Sequence, residues 1–296
     1  MSDQSPSATL RAGIIGLGEI GAGVARAVLR AGMPVTVHDV RPESAAPFSK
    51  EATVARSPAE LAKASDVIAV AVVTDEQVLS VLRPDEGVLG GAAAGSVLVV
   101  LSTIGPDTLD EVVQQAGARG VDVLDCGVSG GTAAAAEGSL VSMVGGDAAV
   151  LGRVQPFLEC FSSHVIHMGP SGTGLQAKLA RNLVQYASWL AAYEAQVLAE
   201  AAGIELGKLA QAIRESDKKI GGASTLMFRR TAAPFGADDD PGLVDAMRRA
   251  AGLAHKDLGA ALALGARLGL SLPLAEMADA RADAVFGLAP DASDEH

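Results

Sequence analysis

The segment Gly169-Pro-Ser-Gly172-Thr-Gly174-Leu-Gln-Ala-Lys178-Leu-Ala-Arg-Asn182 sets one primary amine and one carboxamide four residues apart, just after a glycine-rich entry. On a helix, residues four apart stand one above the other, so Lys178 and Asn182 can address the same small ligand. Upstream, Gly16-Leu17-Gly18-Glu19-Ile20-Gly21 has the glycine spacing of a dinucleotide-binding turn. A nucleotide pocket followed by such a lysine predicts hydride transfer.

In a chain of 34 glycines that triplet is a weak signal alone, and its context strengthens it. An apolar stretch at 12–15 precedes it, helical sequence at 20–31 follows, and Asp39 ends the next apolar stretch about 20 residues on, as the dinucleotide fingerprint requires. Gly16 lets the chain turn, Gly18 lets the backbone approach the pyrophosphate, and Gly21 lets helix and strand pack closely. The helix N-terminus then offers unpaired N–H groups and a partial positive charge to phosphates. Asp39 can accept hydrogen bonds from the adenosine ribose hydroxyls and would meet a 2′-phosphate with like charge, so NAD is favoured over NADP. Arg41, two residues on, partly offsets that preference.

These groups need a scaffold. In the first half, short β-branched runs at 12–15, 35–38, 67–72, 97–101, 121–124 and 140–144 alternate with helical sequence at 20–31, 58–63 and 106–118. Strict alternation predicts a mostly parallel sheet covered on both faces, an α/β doubly wound architecture. From about residue 168 the β-branched clusters thin out. Leu175, Leu179, Leu183, Tyr186, Leu190 and Val197 recur at three- and four-residue steps, predicting one long helix over 174–202 that Gly203 stops. Further helices are expected at 207–215, 243–268 and 273–286. The domains are therefore 1–168 and 169–296.

Length and composition agree, since 296 residues favour two domains. Nearly half the residues are apolar, yet six Phe, two Tyr and one Trp are the only aromatics, so the core must be built from Ala, Val and Leu. A formal charge of −12 disfavours binding to nucleic acid or anionic lipid. The uncharged run 87–106 is broken by glycines, and its dense apolar piece has the length of a buried strand. Residues 1–9 lack a charged-then-apolar leader pattern. Cys126 and Cys160 are too few and too far apart for a disulfide framework or metal cluster and read as free thiols of a reducing cytoplasm. His164 and His167 lack a carboxylate or Cys to complete a metal set, so core or capping roles are expected.

Beyond the 121–124 strand, Asp125-Cys126-Gly127-Val128-Ser129-Gly130-Gly131-Thr132 reads as a glycine-rich loop outside the carboxyl edge of the sheet, where doubly wound proteins bind ligands. Ser129 and the N–H groups of Gly130 and Gly131 would suit a carboxylate; a tight turn without a ligand is the alternative. Four blocks in order, Gly16 to Gly21, Val128 to Gly131, Gly169 to Asn182 and His255-Lys256-Asp257-Leu258, together resemble the β-hydroxyacid dehydrogenase family, which includes 3-hydroxyisobutyrate dehydrogenase. They span nearly the whole chain. The resemblance implies an N-terminal Rossmann domain, an all-helical C-terminal domain joined to it by the long helix, and a homodimer or homotetramer. It implies Lys178 as the catalytic acid/base, Asn182 as the amide holding the substrate, and Ser129, Gly130 and Gly131 as the clasp on its carboxylate. Val72, Val73, Gln77 and Thr103 fall where relatives line the cofactor site, Lys256 where a lysine reaches the cofactor, and Asp257 near the substrate hydroxyl or supporting that lysine.

The chemistry needs those residue types. Oxidising an alcohol removes the hydroxyl proton as hydride leaves carbon, and lysine can take that proton if burial and a cationic nicotinamide lower its pKa. Its ammonium also draws on a carbonyl oxygen gaining negative charge. The chain departs from the family at Ile20 (usually Met), at Cys126-Gly127 (usually Ala-Pro) and at Arg249, where relatives often place a Phe against the substrate. With Arg248 beside it, Arg249 is either a contact for a second anionic group or part of a solvated helix face. The expected activity is an NAD-dependent oxidation of a small anionic 3-hydroxy acid, or reduction of its semialdehyde. An NADPH-dependent imine reductase, usually with Asp or Tyr at the lysine position, and a non-catalytic nucleotide-binding protein are the alternatives.

Overall fold

The computed structural model describes residues 10–223, 225, 229 and 231–289; the stretch 1–9, read above for its lack of a leader pattern, lies outside them. The strands are β1 (Ala12–Ile15), β2 (Val35–His38), β3 (Thr53–Val54), β4 (Val67–Val70), β5 (Val97–Val100), β6 (Asp122–Ser129), β7 (Leu140–Gly145) and β8 (Ser162–Gly169). The helices are α1 (Glu19–Arg30), α2 (Pro42–Ala45), α3 (Pro58–Lys63), α4 (Asp75–Leu82), α5 (Val88–Gly91), α6 (Pro106–Gly117), α7 (Gly131–Glu137) and α8 (Ala148–Glu159), then α9 (Thr173–Ala201), α10 (Leu206–Ile220), α11 (Pro241–Arg267), α12 (Pro273–Ala280) and α13 (Ala282–Val285). The fold is the α/β doubly wound architecture read from the sequence.

The sheet runs β3-β2-β1-β4-β5-β6-β7-β8 and is parallel at every pairing except β6–β7. β1, β2, β4 and β5 are buried along their whole length because helices cover both faces. Alternation divides their side chains between two cores. Ile14, Ala69, Val97 and Val99 join one, and Ile15, Ile68, Leu98 and Val100 join the other. The helices between start on local signals. Ser57 accepts the N–H of Glu60, Thr74 and Gln77 form a reciprocal capping box, and Asp147 accepts the N–H groups of Ala149 and Val150.

Two features depart from the sequence reading. Residues 125–129, expected as loop, continue β6 and pair in antiparallel register with β7, Asp125 opposite Gly145 and Ser129 opposite Val141. Asp and Gly have low strand propensity, and here long-range packing overrides it. β3 and β8 were not foreseen. β3 has two residues, and β8 is a mostly exposed edge strand whose serines and histidines hide the apolar alternation.

The chain divides into two compact units, the first ending at Arg181 and the second beginning at Asn182, so the division falls inside α9. In the second unit α11 packs against α12 and α13. Pro273 opens α12, and the buried carboxylate of Glu194 accepts the N–H groups of Leu274 (2.8 Å) and Ala275 (3.1 Å), fastening that helix to α9. Glu194→Ala leaves two helix-start donors unmet, and we expect it to lower stability by about 1–2 kcal/mol, read as a shift in the denaturant midpoint at unchanged slope. An unaltered midpoint would show that water replaces this cap. The helix expected over 273–286 is broken at Arg281 into α12 and α13.

Candidate active site

The first half of the site is the turn from β1 into α1. Gly16 has φ +86°, and a Cβ there would lie 2.6 Å from the Ala71 carbonyl oxygen. A Cβ on Gly21 would overlap the Gly16 carbonyl oxygen itself, whereas one on Gly18 would meet nothing within 4 Å. Gly16 and Gly21 thus serve the protein's own packing, and Gly18 faces open space. The first N–H groups of α1 have no partner within the helix and favour an anion beside them. Leu17 is buried in the core, and its N–H donates to Asp39 at 2.7 Å. Glu19 reaches away to accept the Thr132 hydroxyl at 2.9 Å.

Asp39 directly follows β2, with its carboxylate almost covered. Burial alone would raise its pKa. The N–H groups of Leu17 and Arg41, with the Arg41 guanidinium at 3.4 Å, outweigh burial and hold the carboxyl below its ordinary range. A cavity of about 550 Å³ opens here, and among its walls are Gly16, Gly18, Asp39, Arg41, Val72, Val73 and Gln77, all named from the sequence. Gln77 has a second duty, since its amide oxygen accepts the N–H groups of Val73 and Thr74. Thr103 is exposed just past β5, next to Ser102, whose hydroxyl donates to the Val72 carbonyl at 2.8 Å. Sequence reasoning missed Val40 and Arg83 in the same wall. Val40 and Val73 are 85% and 82% exposed, apolar surfaces suited to a flat base. Val40 could have been read from its place after Asp39; Arg83, which follows α4, carries no local signal.

The second half forms where α9 meets β6. Leu175 is buried in the core under α9, and one turn on Lys178 extends along β6, where its ammonium donates to the Val128 carbonyl at 2.5 Å. That carbonyl precedes Ser129, so the fold brings the lysine to the Ser129-Gly130-Gly131 turn. Gly130, with φ +132°, turns the chain from β6 into α7. Burial pushes the Lys178 ammonium below its ordinary pKa, and the Arg181 guanidinium adds to this. The influence of Arg181 was not foreseen from the sequence. Cys126 lies beneath, and burial raises its thiol to about 12, so it stays protonated and inert at neutral pH. Cys160 donates its S–H to the Pro156 carbonyl.

Asn182, Arg249, Lys256 and Asp257 belong to the second unit. Asn182 is half-buried on α9. Arg249, Lys256 and Asp257 are exposed on α11; Lys256 lies 3.3 Å from Asp257, and Arg248 pairs with Asp245 at 2.8 Å. His255, between them in sequence, lies 2.7 Å from Asp279 and 3.6 Å from Asp283, binding α11 to the C-terminal helices. His38 and His167 each bond a backbone carbonyl, and His164 the Ser163 hydroxyl. Among the described residues no three His, Cys, Asp or Glu side chains converge as metal ligands. No helix among them is long and apolar enough to cross a membrane.

Both parts of the chain match models of known protein families. Residues 11–169 match the family model described as the NAD binding domain of 6-phosphogluconate dehydrogenase, and residues 172–294 match that described as NAD-binding of NADP-dependent 3-hydroxyisobutyrate dehydrogenase. An uncharacterized oxidoreductase of Mycobacterium tuberculosis is 41% identical over 95% of this chain and 94% of its own length. The NAD-dependent L-serine dehydrogenase of Pseudomonas aeruginosa is 35% identical over 68% of each. The solved structure of Mycobacterium tuberculosis 3-hydroxyisobutyrate dehydrogenase with L-serine superposes with a TM-score of 0.66 at 28% identity, covering 93% of this chain and 92% of that one.

Proposed function

Because the chain belongs to the β-hydroxyacid dehydrogenase family of NAD(P)-dependent oxidoreductases, we propose that it interconverts a small 3-hydroxy acid and its semialdehyde or keto partner, with NAD as the preferred cofactor and Lys178 as general acid/base. The observation that carries this reading is the half-buried Lys178 ammonium held on the carbonyl before Ser129. The open space over Gly18, the free N–H groups of the first turn of α1, and the carboxylate of Asp39 fit a dinucleotide. When bound, the nicotinamide supplies the carbon that accepts or returns hydride. Lys178 as the amine takes the hydroxyl proton during oxidation; as the ammonium it returns that proton to the carbonyl oxygen during reduction. Ser129 and the N–H groups of Gly130 and Gly131 hold the substrate carboxylate. The family resemblance implies substrate and cofactor roles for Asn182, Asp257 and Lys256, and makes Arg249 the candidate contact for a second anionic group. Leu183, Tyr186, Trp189, Leu190 and Tyr193 leave an apolar face of α9 exposed in the single chain, and a homodimer or homotetramer covers it.

The test is NADH formation by the purified protein with short 3-hydroxy acids, L-serine and 3-hydroxyisobutyrate among them. We expect turnover with at least one, and a higher kcat/KM with NAD than with NADP. No turnover across the panel by protein that binds NADH would overturn the reading. The pH profile adds a second check. Oxidation needs the amine, so its rate rises with pH through the Lys178 pKa, which burial and then Arg181 lower. Arg181→Gln therefore moves that rise to higher pH; a rise that stays in place would show that the guanidinium does not act on the lysine.

A further inference from the structure

Asp125 lies in the middle of β6 with no exposed surface, among apolar neighbours. A buried carboxylate is costly unless its oxygens are hydrogen-bonded. One oxygen accepts the N–H of Gly172 at 2.7 Å and the other that of Leu175 at 2.9 Å. These donors are at the start of α9, where helical N–H groups lack partners within the helix and the dipole favours negative charge. The cap therefore comes from a strand some 50 residues away in sequence. Its surroundings are shaped for close approach. A Cβ on Gly145, the residue opposite Asp125 on β7, would overlap the carboxylate, and one on Gly174 would lie 2.5 Å from the Met143 carbonyl. One on Gly127 would lie 2.6 Å from the Cβ of Lys178. The backbone of α9 thus rests directly on β6 and β7. β6 holds it at two points, the Asp125 carboxylate at the helix start and the Val128 carbonyl at the Lys178 ammonium.

We propose that Asp125 is a positioning residue for the reaction: by fastening the first turn of α9 to β6 it sets the depth and rotation at which the Lys178 amine meets the substrate oxygen. This rests on the reading that Lys178 is the acid/base group. A cap that only stabilised the fold would, when lost, lower the melting temperature and leave the rate constants of the folded protein alone. Loss of a positioning cap instead lowers kcat while the cofactor, held by α1 and β2, binds as before. Misplacement of a reacting group by about 1 Å is enough to cost about a hundredfold.

The variant Asp125→Asn keeps one acceptor and turns an amide N–H₂ toward the other helix donor. Assayed below its own melting temperature, it should bind NADH within about twofold of the parent, change KM for the hydroxy acid little, and lose about 30- to 100-fold in kcat. A folded Asp125→Asn protein with kcat within about threefold of the parent overturns the proposal, and so does a fall in kcat matched by an equal loss of NADH affinity. If Asp125→Asn does not fold, Gly145→Ala decides by the same criteria, because its methyl would overlap the Asp125 carboxylate and lie 2.8 Å from the Gly174 nitrogen, disturbing the fastening of α9 to β6 while the carboxylate charge is retained. Lys178→Ala, run in parallel, separates the two ideas. Parental turnover in Lys178→Ala removes the lysine from the mechanism and the proposal with it. An inactive Lys178→Ala beside fully active Asp125→Asn and Gly145→Ala removes only the role of Asp125.

Discussion

Lys178→Ala should lose turnover by about 10²- to 10⁴-fold, the range for removal of a general acid/base group, and still bind NADH like the parent. The separation is expected because the dinucleotide is proposed to rest on the backbone N–H groups of α1 and the Asp39 carboxylate, which the alanine variant leaves in place. Its ammonium donates to the Val128 carbonyl, at the carboxyl end of β6. Because the amine acts on an oxygen whose charge changes during reaction, kcat and kcat/KM should fall together and the KM of the hydroxy acid should move little. The rise of oxidation rate with pH assigned to Lys178 should also vanish. Stopped-flow turnover with NADH fluorescence titration checks all three. Parental kcat in the alanine variant would mean that another group carries the proton.

Gly21→Ala should be the most damaging change in the cofactor half. The new methyl overlaps the Gly16 carbonyl oxygen and sits 3.2 Å from the Ala71 Cβ, so the start of α1 must move off β1. Forced overpacking of this kind costs about 1–3 kcal/mol of stability, and displaced phosphate donors should weaken NADH at least about tenfold, or 1.4 kcal/mol. Gly18→Ala makes the contrast. Its methyl meets no protein atom within 4 Å, so the fold should be as stable as the parent while NADH binding weakens, because the space it fills is the one assigned to the pyrophosphate. Thermal melting and NADH titration of the pair check both. If Gly18→Ala binds NADH normally, the phosphates are not over this turn.

Much of the architecture could be read along the chain, because its signals are local. The apolar runs that became β1, β2, β4 and β5 are continuous because both faces of each strand are covered. Ser57 and Gly105-Pro106 mark helix starts within four residues of themselves. The glycine spacing at 16–21 with Asp39 has meaning because a turn and a strand end are short-range objects, and the structure sets Gly16, Gly18 and Asp39 around one cavity. Residues 125–129 were less legible. An Asp, a Gly and a Ser suggest loop by propensity, and only the β7 partner and the weight of α9 make them strand. β8 escaped for the related reason that an edge strand needs no apolar alternation on its open side.

The sequence by itself determined the order of β1, β2, β4, β5, β6 and β7 with the helices α1, α3 and α6, the dinucleotide turn and the identity of the candidate lysine, since each is written in residues a few positions apart whose sterics and hydrogen bonds act locally. Only the tertiary structure decided what surrounds that lysine. The Val128 carbonyl on its ammonium and the Asp125 carboxylate under its helix come from a strand about 50 residues upstream. Burial at that junction, which no local pattern encodes, lowers the Lys178 pKa, with Arg181 adding to it. Desolvation and a buried cap depend on which distant segments pack together, and that is a property of the folded core.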